Sequence, residues 1–76
     1  MPTLKRFAHC SIRMYAGDHN PPHFHAVMSD GRESLIKIGT LTVLRGGMGK
    51  RELAEALVWA GQNREYLKSK WRELNP

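Results

Sequence analysis

Apolar and polar residues alternate with a period of two along the N-terminal part of the chain. Between residues 4 and 16, one set of alternating positions is Ala8, Cys10, Ile12, Met14 and Ala16. The intervening set is Phe7, His9, Ser11, Arg13 and Tyr15. Successive side chains of a β-strand point to opposite faces, so the pattern predicts one long, half-buried strand with its Cys-Ile-Met side toward the core.

The same strand signal recurs in three shorter segments. They are residues 23–28, 33–38 and 41–45, with turn signals at Asp30-Gly31 and Gly39-Thr40. Within the first of these segments, Phe24, Ala26 and Met28 share the predicted core side. Because short turns join antiparallel neighbours, we predict an antiparallel meander of three to four strands.

A long C-terminal helix is predicted after the break at Gly46-Gly47-Met48-Gly49. Apolar residues recur there at steps of three and four, as Leu53, Leu57, Ala60, Leu67, Trp71 and Leu74, which indicates an amphipathic helix. Arg64 interrupts this stripe, and Gly61 costs about 1 kcal/mol relative to alanine. A kink within residues 61–63 is therefore the alternative to the continuous helix that we favour. No Ser, Thr, Asp or Asn precedes the helix, so we expect a weak N-cap.

These elements form one α+β domain in which the helix covers one face of the sheet. The meander spans residues 1–45, a flexible Gly-rich connector spans 46–49, and the helix spans 50–75. A chain of 76 residues is one domain, and at this size it buries only about 60% of its unfolded surface. The small core favours a partner protein or association into a homodimer.

Charge and cysteine content narrow the classes of partner and compartment. Twelve Lys and Arg against seven Asp and Glu give a net charge of +5, which favours RNA or an acidic protein as partner. The single cysteine, Cys10, fits a reducing compartment and is expected to be a buried, unreactive thiol. With neither a signal peptide nor a membrane-spanning segment in the sequence, we expect a cytoplasmic protein with no membrane contact.

The residues with the most chemical potential lie in the run Asp18-His19-Asn20-Pro21-Pro22-His23-Phe24-His25. It holds three of the four histidines of the chain. The prolines keep the backbone extended, so His23 and His25 should leave one face of the following strand. If the first two strands pair in the hairpin register that we assume, Arg13 lies near His25 and Tyr15 near His23. We expect this face to be solvent-accessible and to point away from the helix.

Two of the roles open to this cluster involve an anionic partner. In a metal-independent ribonuclease, His23 or His25 would act as general base or acid, Arg13 would hold the phosphate, and Tyr15 would orient it. In a non-catalytic module, the same face would bind RNA or an acidic protein. The loop residues Asp18, His19 and Asn20 belong to the predicted binding surface in both cases.

Two further roles are a metal site and a structural brace. Paired imidazoles with Asp18 or His19 are usable metal ligands. We expect bound metal to be absent or weak, and no cofactor, because groups that would orient these ligands are not evident in the sequence. As a brace, His23 and His25 would hold the proline loop through backbone carbonyls.

Three cations spaced four residues apart form a ridge on the predicted helix: Arg64, Lys68 and Arg72. The ridge is either solvated surface or a strip that binds anions. Trp59 and Trp71 lie on the same helix and are expected to be core or interface anchors rather than platforms for base stacking.

Several segments together resemble one family of small bacterial domains. They are Met1-Pro2-Thr3, Ile12-Arg13-Met14-Tyr15, the run from Asp18 to His25, and the later Leu53, Leu57 and Trp59-Ala60. The chain is similar over almost its whole length to the domains of unknown function that carry a Pro-Pro-His-Phe-His signature. Members of that family are often encoded beside another small domain. The resemblance therefore implies the toxin-like half of a two-gene toxin–antitoxin module, with a small antitoxin-like protein as partner.

The chain departs from the family pattern at two positions. Lys37 stands where an acidic residue is usual, and Gly49 stands where a proline usually opens the helix. The first change makes this chain more basic, and the second loosens the predicted helix start. Neither lies in the histidine run.

Overall fold

The computed structural model describes residues 3–76, in which a five-stranded sheet precedes two helices. The Met1-Pro2 part of the family resemblance lies outside this range. The strands are β1 (Thr3–Arg6), β2 (Cys10–Arg13), β3 (His23–Met28), β4 (Glu33–Lys37) and β5 (Val43–Gly46). The helices are α1 (Lys50–Gln62) and α2 (Arg64–Leu74). The predicted α+β class and antiparallel meander are confirmed, with five strands and two helices in place of three to four strands and one helix.

The additional strand comes from a break in the segment that the alternation predicted to be continuous. Phe7 donates its backbone N–H to the Cys10 carbonyl at 2.7 Å, which closes a turn between β1 and β2. The turn resets the alternation, so Phe7 packs against the core instead of lying on the opposite face. The sheet order is β1-β2-β3-β4-β5, and every neighbouring pair is antiparallel.

The core lies between one face of the sheet and the helices, as predicted. Ile12, Met14 and Phe24 are fully buried from the strand side. The helical stripe meets them with Leu53, Ala60 and Leu67, which are at most 1% exposed. Leu57 and Leu74 are partly buried around this centre. Among the described residues, neither helix combines the length and the apolar character needed to cross a bilayer.

The helix that we predicted to be continuous is divided at Asn63. Its backbone has φ −128° and ψ 28°, outside the helical region. The Asn63 side chain donates to the Trp59 carbonyl at 2.8 Å, and its backbone N–H donates to Ala60. Asn thus satisfies carbonyls at the end of α1 in place of the next helical turn. The break lies within residues 61–63, where the less favoured alternative placed a kink.

The start of α1 makes more stabilising contacts than its sequence suggested. Glu52 accepts a hydrogen bond from the Gly49 backbone N–H at 3.0 Å, which is one half of a capping box. Arg32, from the β3–β4 turn, donates to both Glu52 carboxylate oxygens and also to Asp30. The helix start is therefore tied to a hairpin of the sheet.

The Gly-rich connector contacts the sheet through several hydrogen bonds. Gly46 is the last residue of β5 and pairs with Ser34. The Gly47 N–H donates to the Glu33 carbonyl, and the Met48 N–H donates to the Ser34 hydroxyl at 3.3 Å. Met48 is 7% exposed and joins the core. These contacts fix the point where the chain leaves the sheet for α1.

Candidate functional site

The histidine loop is anchored by the far end of the chain. Asn75, just after α2, accepts the Asp18 backbone N–H on its Oδ1 at 2.8 Å and donates from Nδ2 to the Tyr15 carbonyl at 3.4 Å. The Gly17 N–H also points to the Leu74 carbonyl. Sequence reasoning missed Asn75, because 57 residues separate it from Asp18 and no local pattern links them.

His23 is a buried member of this site. Its side chain is 0% exposed, and its Nδ1 lies 2.8 Å from the Pro21 carbonyl oxygen. Its ring also packs against Trp71 of α2, with ring centroids 5.3 Å apart. The expectation that His23 would be accessible and away from the helix is therefore wrong. The C-terminal part of α2 closes over the end of β3, and strand periodicity alone does not show what covers a strand end.

His25 occupies the position expected from the alternation. It is opposite Arg13 in the β2–β3 ladder, which confirms the predicted register. Tyr15 lies beyond the end of β2, and its ring meets His25 edge-on at a centroid distance of 4.5 Å, whereas we expected it beside His23. The His25 side chain is 12% exposed, and its Nδ1 lies 3.4 Å from Glu33 Oε1. Arg13 is half-buried.

The Asp18 carboxylate joins the two imidazoles. Its Oδ2 lies 3.0 Å from His23 Nε2 and 3.1 Å from His25 Nε2. Its Oδ1 accepts the His19 backbone N–H at 2.9 Å. Burial by itself raises the pKa of Asp18, but the hydrogen bonds from His25 and the His19 backbone N–H, with the positive charge that either imidazole carries when protonated, lower the pKa by a larger amount. The net pKa is below the ordinary aspartate value, so the carboxylate is ionised at neutral pH.

The other two predicted loop residues lie at the outer surface. His19 has a side chain that is 70% exposed, and its ring stacks on His23 with centroids 5.1 Å apart. Asn20 is exposed and forms a cis peptide bond with Pro21. We call Asp18, His23 and His25 the histidine–aspartate cluster, with His19 at its outer rim.

A second feature adjoins this cluster, an open groove of about 310 Å³ between α2 and the end of β4. It is lined by Pro22, Lys37, Ile38, Gly39, Lys68, Trp71 and Arg72, and we call it the basic groove. Its floor is formed by the apolar side chains of Ile38 and Trp71, which are 1% and 7% exposed. Its polar lining consists of three cations, with no acidic side chain among the described residues that form it.

The basic groove contains part of the predicted helix ridge. Lys68 and Arg72 line it, whereas Arg64 is exposed elsewhere on α2. Lys37 adds a cation from the sheet. Lys68 also makes an exposed 3.4 Å ion pair with Glu65, a contact of little energetic consequence. Sequence reasoning found the ridge but had no signal that placed Lys37 beside it.

Two other predictions concern single side chains. Trp71 is a core anchor, as expected, and Trp59 is half-buried against Tyr66 with ring centroids 6.3 Å apart. Cys10 is partly buried against the core. Burial raises the pKa of the Cys10 thiol, and the nearby Glu55 carboxylate raises it by a smaller amount. The thiol therefore stays protonated and poorly reactive at neutral pH.

Together these features define a small α+β domain with a partly buried histidine–aspartate cluster beside a basic groove. Residues 10–72 match the family model described as a domain of unknown function, DUF4160. The chain therefore belongs to this family. Searches of curated proteins and of solved structures found no significant match.

Proposed function

We propose that this domain binds single-stranded RNA through the basic groove, as the toxin-like component of a two-gene module. The observation that carries the binding proposal is the convergence of Lys37, Lys68 and Arg72 on one concave surface. The two-gene arrangement, with a small antitoxin-like protein as partner, rests on the resemblance described above.

The geometry of the basic groove suits a phosphate backbone. Cations that approach from a strand and from a helix can contact successive phosphates, and such contacts supply most of the sequence-independent affinity for nucleic acid. The net charge of +5 adds long-range attraction. The burial of Trp71 argues against base stacking on its face, so the expected binding depends on charge more than on base identity.

The observed burial favours binding over cleavage. A general acid or base must come within hydrogen-bond reach of its substrate, and the fully buried His23 does not reach a molecule in the groove. His25, beside Arg13 and Tyr15, is the histidine of the cluster that a ribonuclease activity would use. His23 supports the brace role instead, through its contacts with Pro21 and Trp71.

The test is the salt dependence of RNA binding. Binding of a labelled single-stranded RNA is measured by fluorescence anisotropy at each salt concentration. Three neutralised phosphates give a slope of log K against log salt of about −2, or an affinity loss of about 20-fold between 50 and 200 mM salt. Lys37→Ala/Arg72→Ala leaves one contact, for which the same calculation gives a loss of about threefold.

The matched control is Lys50→Ala/Arg51→Ala, which removes the same charge from exposed positions at the start of α1. We expect this control to keep the steep salt dependence and nearly the full affinity. Equal losses in the two double variants would mean that net charge, not the groove, governs binding. Absence of RNA binding, with capture of an acidic partner protein that depends on Lys37 and Arg72, would favour the interaction module instead.

A further inference from the structure

We propose that Asp18, His23 and His25 form a binding site for a divalent transition-metal ion such as Zn²⁺. This inference is independent of RNA binding, because none of the three residues lines the basic groove. It revises the expectation of absent or weak metal. That expectation assumed that the ligands had no orienting partners, and the fold supplies them.

The distances in the cluster match those of a metal site. One potential ligand atom from each residue lies within 4.8 Å of the other two, and the two Nε2 atoms are 3.0 and 3.1 Å from Asp18 Oδ2. Bond lengths of about 2.0–2.2 Å place neighbouring ligand atoms about 3.3 Å apart in a tetrahedral site and about 3.0 Å apart in an octahedral one. The two Oδ2–Nε2 distances fall in this range, so Asp18 could share an ion with either imidazole without a change of backbone.

The hydrogen bond of His23 leaves a metal-binding lone pair directed into the cluster. The Pro21 carbonyl can only accept, so His23 Nδ1 carries the proton and Nε2 carries the lone pair in the neutral ring. This Nε2 is buried and has no hydrogen-bond partner among the described residues. Its nearest polar neighbour, Asp18 Oδ2, is also an acceptor. Either a second proton on the ring or a cation bound by both atoms would resolve this unfavourable arrangement, and the metal titration below distinguishes the two.

Asp18 and His25 are oriented in the same way. Asn75 anchors the Asp18 backbone and the His19 N–H holds Oδ1, so Oδ2 is directed at the two imidazoles. Glu33 lies 3.4 Å from His25 Nδ1, where it can accept the Nδ1 proton when Nε2 binds an ion. A carboxylate or carbonyl behind each ligating histidine is the usual arrangement in zinc sites.

The site is of the partly open class. Two imidazoles and one carboxylate leave a coordination position for water, as in catalytic rather than closed structural zinc sites. The side chains of Asp18 and His25 are 16% and 12% exposed, so an ion would enter from their side, past the exposed His19. Nitrogen ligands favour Zn²⁺ and related first-row ions over Mg²⁺ and Ca²⁺.

The test uses the full chain after removal of metal with a chelator. Zn²⁺ is titrated by calorimetry, and Co²⁺ is titrated by visible absorption, which reports coordination geometry. We expect one ion per chain, a Co²⁺ spectrum with nitrogen ligands, and a higher melting temperature with added Zn²⁺. Affinity should fall at least tenfold in Asp18→Asn and in His25→Gln, because each removes a direct ligand.

These two variants avoid the fully buried His23, whose replacement could unfold the domain. In Asp18→Asn an amide N–H can donate to the imidazole lone pairs, so the metal-free fold should persist, as checked by circular dichroism. The control is His9→Gln, at an exposed histidine outside the cluster, which should bind Zn²⁺ like the wild type. A folded wild type that binds neither ion would overturn the proposal, as would unchanged binding in both cluster variants.

Discussion

Replacement of Gly46 by alanine is the perturbation whose effect on stability is most directly determined by the structure. Gly46 has φ +134°, a region that is open almost only to glycine. A Cβ atom placed there would lie 2.4 Å from Ser34 Cα and 2.5 Å from the Glu33 carbonyl oxygen. Both are backbone atoms of the neighbouring strand β4, so no side-chain rotation relieves the contact.

Two costs contribute to the expected loss of folding stability in Gly46→Ala. The backbone conformation costs alanine about 1–3 kcal/mol, and forcing a methyl group into a packed site costs about 1–3 kcal/mol more. The sum of about 2–6 kcal/mol is a large part of the total stability of a 76-residue domain, which is about 4–11 kcal/mol. With a urea m-value of about 1 kcal/mol/M, the unfolding midpoint should fall by about 2 M or more.

Gly47→Ala is the matched control for this measurement. It adds the same methyl group one residue later, where no atom lies within 4 Å of the added Cβ. Gly47 is also outside the positive-φ region, so its stability should change by no more than about 0.5 kcal/mol. A Gly46→Ala protein that unfolds within 0.5 M urea of the control, about half of one kcal/mol at that m-value, would refute the close approach of β5 to Ser34.

Two other predictions concern the packing of the helices on the sheet. Trp71→Ala should destabilise the domain by about 3–5 kcal/mol, the usual cost of replacing a large buried aromatic by alanine. The control is Val58→Ala, at a side chain 62% exposed, which should change the stability by less than about 0.5 kcal/mol. Equal urea midpoints for the two variants would contradict the placement of Trp71. Hydrogen bonds from Arg32 hold the pKa of Glu52 below its ordinary value. The stability that this contact adds is therefore present above the unfolded-state pKa and lost as the pH falls through the lowered folded-state pKa. In thermal melts across the acidic range, Glu52→Gln should remove this part of the pH dependence, and an unchanged profile would show that the contact contributes nothing.

Local periodicity was sufficient to predict the faces of the main elements. Alternation placed Ile12 and Met14 in the core and Arg13 on the same face as His25, because side-chain direction in a strand follows from its period of two. Steps of three and four identified Leu53, Leu67 and Trp71 as the buried side of the helices for a similar reason. The break at Asn63 was harder to predict, because the apolar stripe continues on both sides of it.

The contacts that make the candidate site belong to the tertiary structure. The burial of His23, the anchoring of Asp18 by Asn75 and the meeting of Lys37 with Arg72 each join residues from distant parts of the chain. Within each unbroken strand or helix, the sequence by itself determined which residues lie on each face, because side-chain direction is a local property of the backbone. Only the tertiary structure decided what covers those faces, because the direction in which α2 crosses the end of the sheet depends on packing across the whole domain.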